Sequence, residues 1–364
     1  MKSYIFKGTT AAVLVGDNFH VHETYYPYFR LKEAGFSVYF VGERGGMLYN
    51  DYYGESLMSD LSVSEALRMQ FDCIYCPGGF APLKLRANSD IIKFARSHFN
   101  AGRLFAAICH AGSFLVAMNV LKGKRATSYA TLKDDLINAG AIFIDESPVI
   151  DGNLITARHS QDLPVFGEAI IRYLIDINND IPGIESHCLK GKSFGILIEN
   201  RYSAIQAWFL YYRFMAAGAN VLFITPHCNV EYSSRISKIP MRGDLSIDDA
   251  IIRNFDALVI PGDWAADTMR VNSLLLKLVK KQYDEGRGLI SIAEGNSVLV
   301  SSNILKGHII SGLPEMKWDI ENCGASICDL PATTHKNIVT CRDTQDLPEL
   351  ARQIIQYFSE RARE

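Results

Sequence analysis

Five blocks of this sequence recur in the same order, and that duplication constrains the fold more than any other feature. Pro77-Gly78-Gly79 returns as Pro261-Gly262-Asp263, a shift of 261 − 77 = 184. Asn119–Gly123 (NVLKG) returns as Asn303–Gly307 (NILKG), Lys133–Ala141 (KDDLINAGA) as Lys317–Ala325 (KWDIENCGA), and Gln161–Pro164 as Gln345–Pro348, all at 184. Arg30–Gly35 matches Arg213–Gly218 at 183, so one residue of slippage falls between Gly35 and Pro77. A period this long is a whole domain, not a solenoid repeat. The polar, Pro/Gly-containing stretch Asn178–Gly183 reads as the join, which gives domains 1–180 and 190–364. A chain of 364 residues with 48% apolar and 21% charged residues can supply two cores.

Within copy one, short apolar runs alternate with helical patterns. Strands are expected over Ala11–Gly16, Ser37–Val41, Cys73–Cys76, Leu104–Cys109 and Ala126–Tyr129. Helices are expected over Glu23–Ala34, Asp90–Asn100, Gly112–Met118, Leu132–Ala139 and Pro164–Ile175. Gly35, Gly102 and Gly140 each fall just past a helix, where a left-handed cap is wanted. Asp151-Gly152, inside the β-rich stretch Ile142–Arg158, reads as a hairpin turn. The alternation predicts an α/β class chain of two tandem flavodoxin-like domains, each a mostly parallel sheet with helices on both faces. Sites in such sheets form beyond the carboxyl ends of the strands. In copy one three segments end there: Gly16–His20, Pro77–Leu83 and Cys109–Gly112.

A net charge of −3 gives no footprint for nucleic acid and no polybasic membrane patch. Met1–Thr10 carries Lys2 and Lys7 without an apolar leader core, and no apolar run is long enough to span a membrane. A cytoplasmic protein is expected. Eight cysteines without a disulfide-framework spacing favour a reducing compartment. Cys73 and Cys76 are spaced like a redox motif but lie in a buried-strand pattern, where residues three apart point to opposite faces, so they read as core. Pro77-Gly78-Gly79 lacks the spacing of a dinucleotide fingerprint, and no cofactor is expected.

Leu104–Gly112 (LFAAICHAG) is an apolar strand running into small residues and then a helix. That pattern places Cys109 on a tight strand-to-helix turn, where a helix N-terminus lowers a thiol pKa and offers amide donors. The alternative is a core cysteine at a strand end. His20 and His22 would share a face if their segment is extended, and could then begin a metal site with Cys109 or His110. In a helix they would not share one. No metal is assigned. His159 is placed either in the same pocket or on a loop.

Ala107–His110 (AICH), Asn119–Tyr129 (NVLKGKRATSY), Lys133–Leu136 and Asp151–Thr156 (DGNLIT) together resemble the ThiJ/PfpI superfamily. This group includes the parkinsonism-associated deglycase, glyoxalase III-like proteins, isonitrile hydratase and PfpI-type peptidases, and is related to class I glutamine amidotransferase domains. The resemblance covers nearly all of copy one and, more weakly, copy two. Tandem members exist among plant glyoxalase III-like proteins, and Gly16–Thr24 resembles their N-terminal motif. The resemblance implies that Cys109 is the nucleophile, His110 its neighbouring histidine, and the amides at His110 and Gly79, beside Gly78, the oxyanion hole. It also implies that Tyr129 lies near the site. Where the family has an acid at the end of the first strand this chain reads His20. Where PfpI-type members have an acid after the Pro-Gly-Gly turn it reads Leu83. A Cys109/His20 pair would then replace the carboxylate.

In copy two Cys109 maps to Ala293, His110 to Glu294, His20 to Ser203, Tyr129 to Leu313 and Leu83 to Asp267. Copy two therefore reads as a degenerate partner, an intramolecular pseudo-dimer that mimics a homodimer, with further homo-oligomerisation left open. The expected function is a cysteine-dependent hydro-lyase or hydrolase acting on a small electrophilic molecule: a 2-oxoaldehyde, an isonitrile or an amide. The alternatives are a redox sensor or stress protein, a ligand-binding pseudoenzyme, and a PfpI-type peptidase.

Overall fold

The computed structural model describes residues 9–178 and 188–361. The reading of Met1–Thr10 as lacking a leader (apart from Thr9 and Thr10), and that of the join after Asn178, lie outside those residues. The chain divides into two compact units, Met1–Ile184 and Glu185–Glu364.

Unit 1 is built on seven strands: β1 (Thr10–Leu14), β2 (Ser37–Gly42), β3 (Leu61–Ser62), β4 (Cys73–Cys76), β5 (Leu104–Ile108), β6 (Val149–Asp151) and β7 (Leu154–Ala157). Their order across the sheet is β6-β7-β5-β4-β1-β2-β3. All neighbours are parallel except β6 and β7, the hairpin that turns at Asp151-Gly152. The four central strands are nearly continuous apolar runs because helices cover both faces of a parallel sheet. All five residues of β5 are buried, as are all four of β4. The principal helices are α1 (Val21–Glu33), α2 (Ser89–Asn100), α3 (Gly112–Met118) and α4 (Leu163–Asn178). Helix α1 packs on α4, and α2 on α3. Under the elbow, Phe105 of β5 lies parallel to Phe114 of α3, with centroids 6.2 Å apart. Both are fully buried. At about 1.5–3 kcal/mol for each such ring, this contact ties the strand to the helix that follows it.

Helix ends follow the expected chemistry. Asn88 caps α2 by accepting from the Asp90 and Ile91 amides. Gly35 ends α1 with φ 96°, a conformation open to glycine at no steric cost. One expected strand is corrected. Of Ala126–Tyr129, only Ala126 is in a strand, Arg125–Ala126, which pairs with Ile142–Phe143 outside the main sheet. The following residues are drawn into a loop instead, since the Thr127 amide donates to Thr156 Oγ1 and the Ser128 hydroxyl to the Cys109 carbonyl.

Unit 2 repeats the plan with β8 (Ser193–Leu197), β9 (Asn220–Thr225), β10 (Leu245–Ser246), β11 (Ala257–Ile260), β12 (Gly288–Ile292), β13 (Ala332–His335) and β14 (Ile338–Cys341). The order is β10-β9-β8-β11-β12-β14-β13. The two units are offset by 183 at the ends of β2 and β9 and by 184 at β3 and β10. The slipped residue therefore lies between Gly42 and Leu61. Its principal helices are α5 (Ala204–Ala216), α6 (Ser273–Asp284) and α7 (Leu347–Arg361).

Candidate active site

Strand β5 ends at Ile108 in extended conformation, and Cys109 then turns to φ 58° before the chain enters a helical turn and α3. Holding a non-glycine residue in this left-handed region costs about 1–2 kcal/mol. Two bonds to the Cys109 carbonyl oppose that cost, one from the Ser128 hydroxyl at 2.7 Å and one from the Tyr129 amide at 3.2 Å. Gly112 makes room for the first, because a Cβ there would lie 2.1 Å from Ser128 Oγ.

Cys109 is 6% exposed, and its sulfur faces four groups. The backbone amides of Gly79 and His110 favour its charged form, and the Glu23 carboxylate favours its neutral form. The fourth is His110 Nδ1, 3.3 Å away. Glu23 also accepts from the Gly78 amide at 3.1 Å through Oε2 and from the Ser160 hydroxyl at 2.8 Å through Oε1. Gly78 permits this approach: a Cβ there would be 2.4 Å from Glu23 Oε2 and 2.6 Å from Cys109 Cβ.

Burial pushes the Cys109 thiol above its ordinary range, and the Glu23 charge pushes the same way. The two amides pull it down but do not outweigh these effects. The expected lowering by the helix N-terminus is thus overturned, with burial the larger cause. Burial also lowers the His110 imidazole, against the pull of Glu23, which keeps the ring neutral near pH 7. That ring stacks on Tyr129 at 4.8 Å and leans on Phe80 at 5.8 Å.

The structure therefore brings Cys109, His110, Gly78, Gly79 and Tyr129 together and corrects three readings. The carboxylate assigned as absent is supplied by Glu23, three residues beyond His20, on the first turn of α1. His20 caps that helix. Its Nδ1 is 3.5 Å from the Glu23 amide and its Nε2 3.5 Å from Ser160 Oγ, so it contacts the carboxylate's supports and not the sulfur. His159 has its Nδ1 3.9 Å from Asp162, and its neighbour Ser160 is the residue that reaches the site. Among the described residues no three His, Cys, Asp or Glu side chains converge on a metal position, and His22 lies within α1 beside the His20 ring. Cys73 and Cys76 are fully buried in β4. Leu83 lies in the short helix Ala81–Leu85 that follows the Pro-Gly-Gly turn, and the His110 ring rests against Tyr129 and Phe80. Sequence reasoning missed Glu23, Ser160, Ser128 and Phe80. The signal for Glu23 was its place three residues after a cap.

Unit 2 keeps the frame without the chemistry. Ala293 holds the same turn at φ 50°. Gln206 occupies the Glu23 position, accepting from the Gly262 amide at 2.6 Å and donating to Thr344 at 2.9 Å. Glu294 folds its carboxylate onto the Asp263 amide at 2.8 Å, the counterpart of the Gly79 amide. Asp263 pairs with Arg235, whose guanidinium covers Trp264. Asp267, at the Leu83 position, is exposed on a short helix.

The chain matches the DJ-1/PfpI family over residues 9–173 and again over 192–357. The chain belongs to the DJ-1/PfpI family. It is 38% identical over 161 residues to "Deglycase PfpI" of Pyrococcus furiosus, which spans 44% of this chain and 96% of that protein. It is 24% identical over 344 residues to "Protein DJ-1 homolog D" of Arabidopsis thaliana, across 85% of this chain and 86% of the other. A solved two-domain protein of Anabaena variabilis, with DJ-1/ThiJ/PfpI-like and ferritin-like domains, is 37% identical. The match covers 46% of this chain and 48% of that one, with a TM-score of 0.45. Among the described residues no helix is long and apolar enough to cross a membrane.

Proposed function

We propose that unit 1 is a cysteine-dependent enzyme that adds Cys109 to a small electrophilic carbon, with a 2-oxoaldehyde as the substrate class. The observation that carries this reading is the sulfur on its left-handed turn, facing the Gly79 and His110 amides and the Glu23 carboxylate. The aldehyde carbon bonds to sulfur as the carbonyl π pair moves to oxygen, where the Gly79 and His110 amides support the charge. The thiol proton passes to Glu23 and from it to that oxygen. Glu23 or the neutral His110 then moves the carbon-bound proton to the adjacent carbonyl carbon while the hydroxyl proton passes to that carbon's oxygen, leaving the thioester of a 2-hydroxy acid. Water cleaves the thioester to a 2-hydroxy acid and restores the thiol. The net reaction is hydration and rearrangement, with no external oxidant. Relatives named deglycases share the family, and the eight cysteines, all free, suit a reducing compartment such as the cytoplasm.

Incubation of the full chain with methylglyoxal, an isonitrile and a primary amide tests the substrate class. Lactate from methylglyoxal is expected. Turnover of the isonitrile or the amide with none of methylglyoxal overturns it. A second reading rests on the same two amides, which would also hold the oxygens of a sulfinate formed when two peroxide molecules oxidise Cys109 and are reduced to water. A gain of two oxygens on Cys109 under mild peroxide, in a chain without turnover, selects that reading.

A further inference from the structure

Unit 2 departs from unit 1 at a second place, away from the elbow. In unit 1 Lys124 Nζ pairs with Asp151 Oδ1 at 3.0 Å. At the shift of 184 the counterparts are His308, just before the strand Ile309–Ser311, and His335, the last residue of β13. The surrounding frame is the same in both units. Asn153 donates to the Phe99 and Arg103 carbonyls, and Asn337 donates to those of Tyr283 and Arg287. A pair of opposite charges has thus been replaced by two imidazoles on an unchanged scaffold. Their Nδ1 atoms are 3.1 Å apart and their rings stand at 84°.

Each imidazole is oriented. His308 is 1% exposed, and its Nε2 lies 2.8 Å from the hydroxyl of Tyr283, which replaces Phe99 of unit 1. If that oxygen accepts the Nε2 proton, Nδ1 carries the lone pair and faces His335. A ring nitrogen held by an outer partner while the other is left basic is the usual arrangement of a metal-binding histidine.

We infer that His308 and His335 form a two-histidine site for a divalent transition ion of the zinc, cobalt or nickel type. With metal–nitrogen bonds of about 2.05 Å, nitrogens 3.1 Å apart subtend about 98° at the ion, between the octahedral and tetrahedral angles. Imidazole pairs suit these ions. The tautomer change needed is small: the proton between the two Nδ1 atoms moves to His335 Nε2, and no net proton is lost. Lys336 repels a dication and weakens the site. Among the described residues no third His, Cys, Asp or Glu joins the pair, so water fills the remaining positions and the ion exchanges. Bound ion bridges the end of β13 to the loop before Ile309, and so stabilises unit 2 by mass action.

The test is titration of the full chain with Co²⁺, followed by calorimetry and by visible absorption. One equivalent is expected, with ligand-field bands and no thiolate-to-cobalt charge transfer, and with a rise in the melting temperature. His335→Asn should weaken binding at least about tenfold, the scale already set by losing an outer partner. Because buried His308 is sensitive to change, the second variant is His308→Lys with His335→Asp, which imports the ion pair of unit 1 and should fold without taking up the ion. Three outcomes overturn the inference: no uptake by the wild-type chain, uptake unchanged in both variants, or loss of uptake on His227→Asn instead.

Discussion

The ends of β5 and β12 make the same backbone turn around different side chains. Cys109 and Ala293 are both left-handed, at φ 58° and 50°. Glu23 and Gln206 both accept from the amide of a glycine that tolerates no Cβ. Ser160 and Thr344 both bond the far side of that group. The strain in unit 2 therefore serves no thiol. The turn is a property of the fold, and what distinguishes unit 1 is an ionisable pair placed on it. In unit 2 the amide that would hold a developing oxyanion is already occupied by Glu294. A carboxylate of the chain itself fills the place a reacting oxygen would need.

Three substitutions sharpen this comparison. The largest effect is expected for Glu23→Gln, which imports the residue of unit 2. Glutamine keeps the bonds to the Gly78 amide and Ser160 but cannot take the thiol proton. Turnover should fall about 10²–10⁴-fold, the usual weight of a general acid–base group, while the melting temperature holds. Steady-state kinetics and calorimetry on one preparation check both halves. Next is Gly78→Ala, whose new Cβ would lie 2.4 Å from Glu23 Oε2 and 2.6 Å from Cys109 Cβ. Overpacking of this kind costs about 1–3 kcal/mol, to be read from denaturant unfolding. The smallest effect belongs to Ala293→Gly in unit 2. Relief of left-handed strain is worth about 1 kcal/mol, and the added freedom of the unfolded chain takes back about 0.5–1 kcal/mol. Stability should stay level or rise slightly. A clear loss would mean the turn is not strained.

Much of this was legible in the sequence. The duplication, the parallel strands and the glycine caps follow from spacing and periodicity, and β4 and β5 appear where their apolar runs lie. The elbow was legible because a buried strand, small residues and a helix occur in direct succession. Glu23 was not, for a geometric reason. Placing the helix start at Glu23 left its side chain unassigned, and the acid was sought at the strand end, where His20 stands. Helix α1 begins at Val21, capped by His20, and its first turn swings position 23 back toward the Pro-Gly-Gly loop. A shift of two residues in a helix start rotates a side chain by about 200° around the axis. Ser160 and Ser128 were hidden because they meet the site only through tertiary contacts, 137 residues from Glu23 and 19 from Cys109.

The most direct test replaces one side chain and counts product. Cys109→Ala gives unit 1 the residue unit 2 already carries on the same turn, so the protein should fold as the wild type does. With methylglyoxal as substrate, lactate formation should drop to the uncatalysed background, a loss of about 10³-fold or more. A folded Cys109→Ala chain that makes lactate at the wild-type rate would contradict the account, because the sulfur at the elbow would then have no part in the reaction.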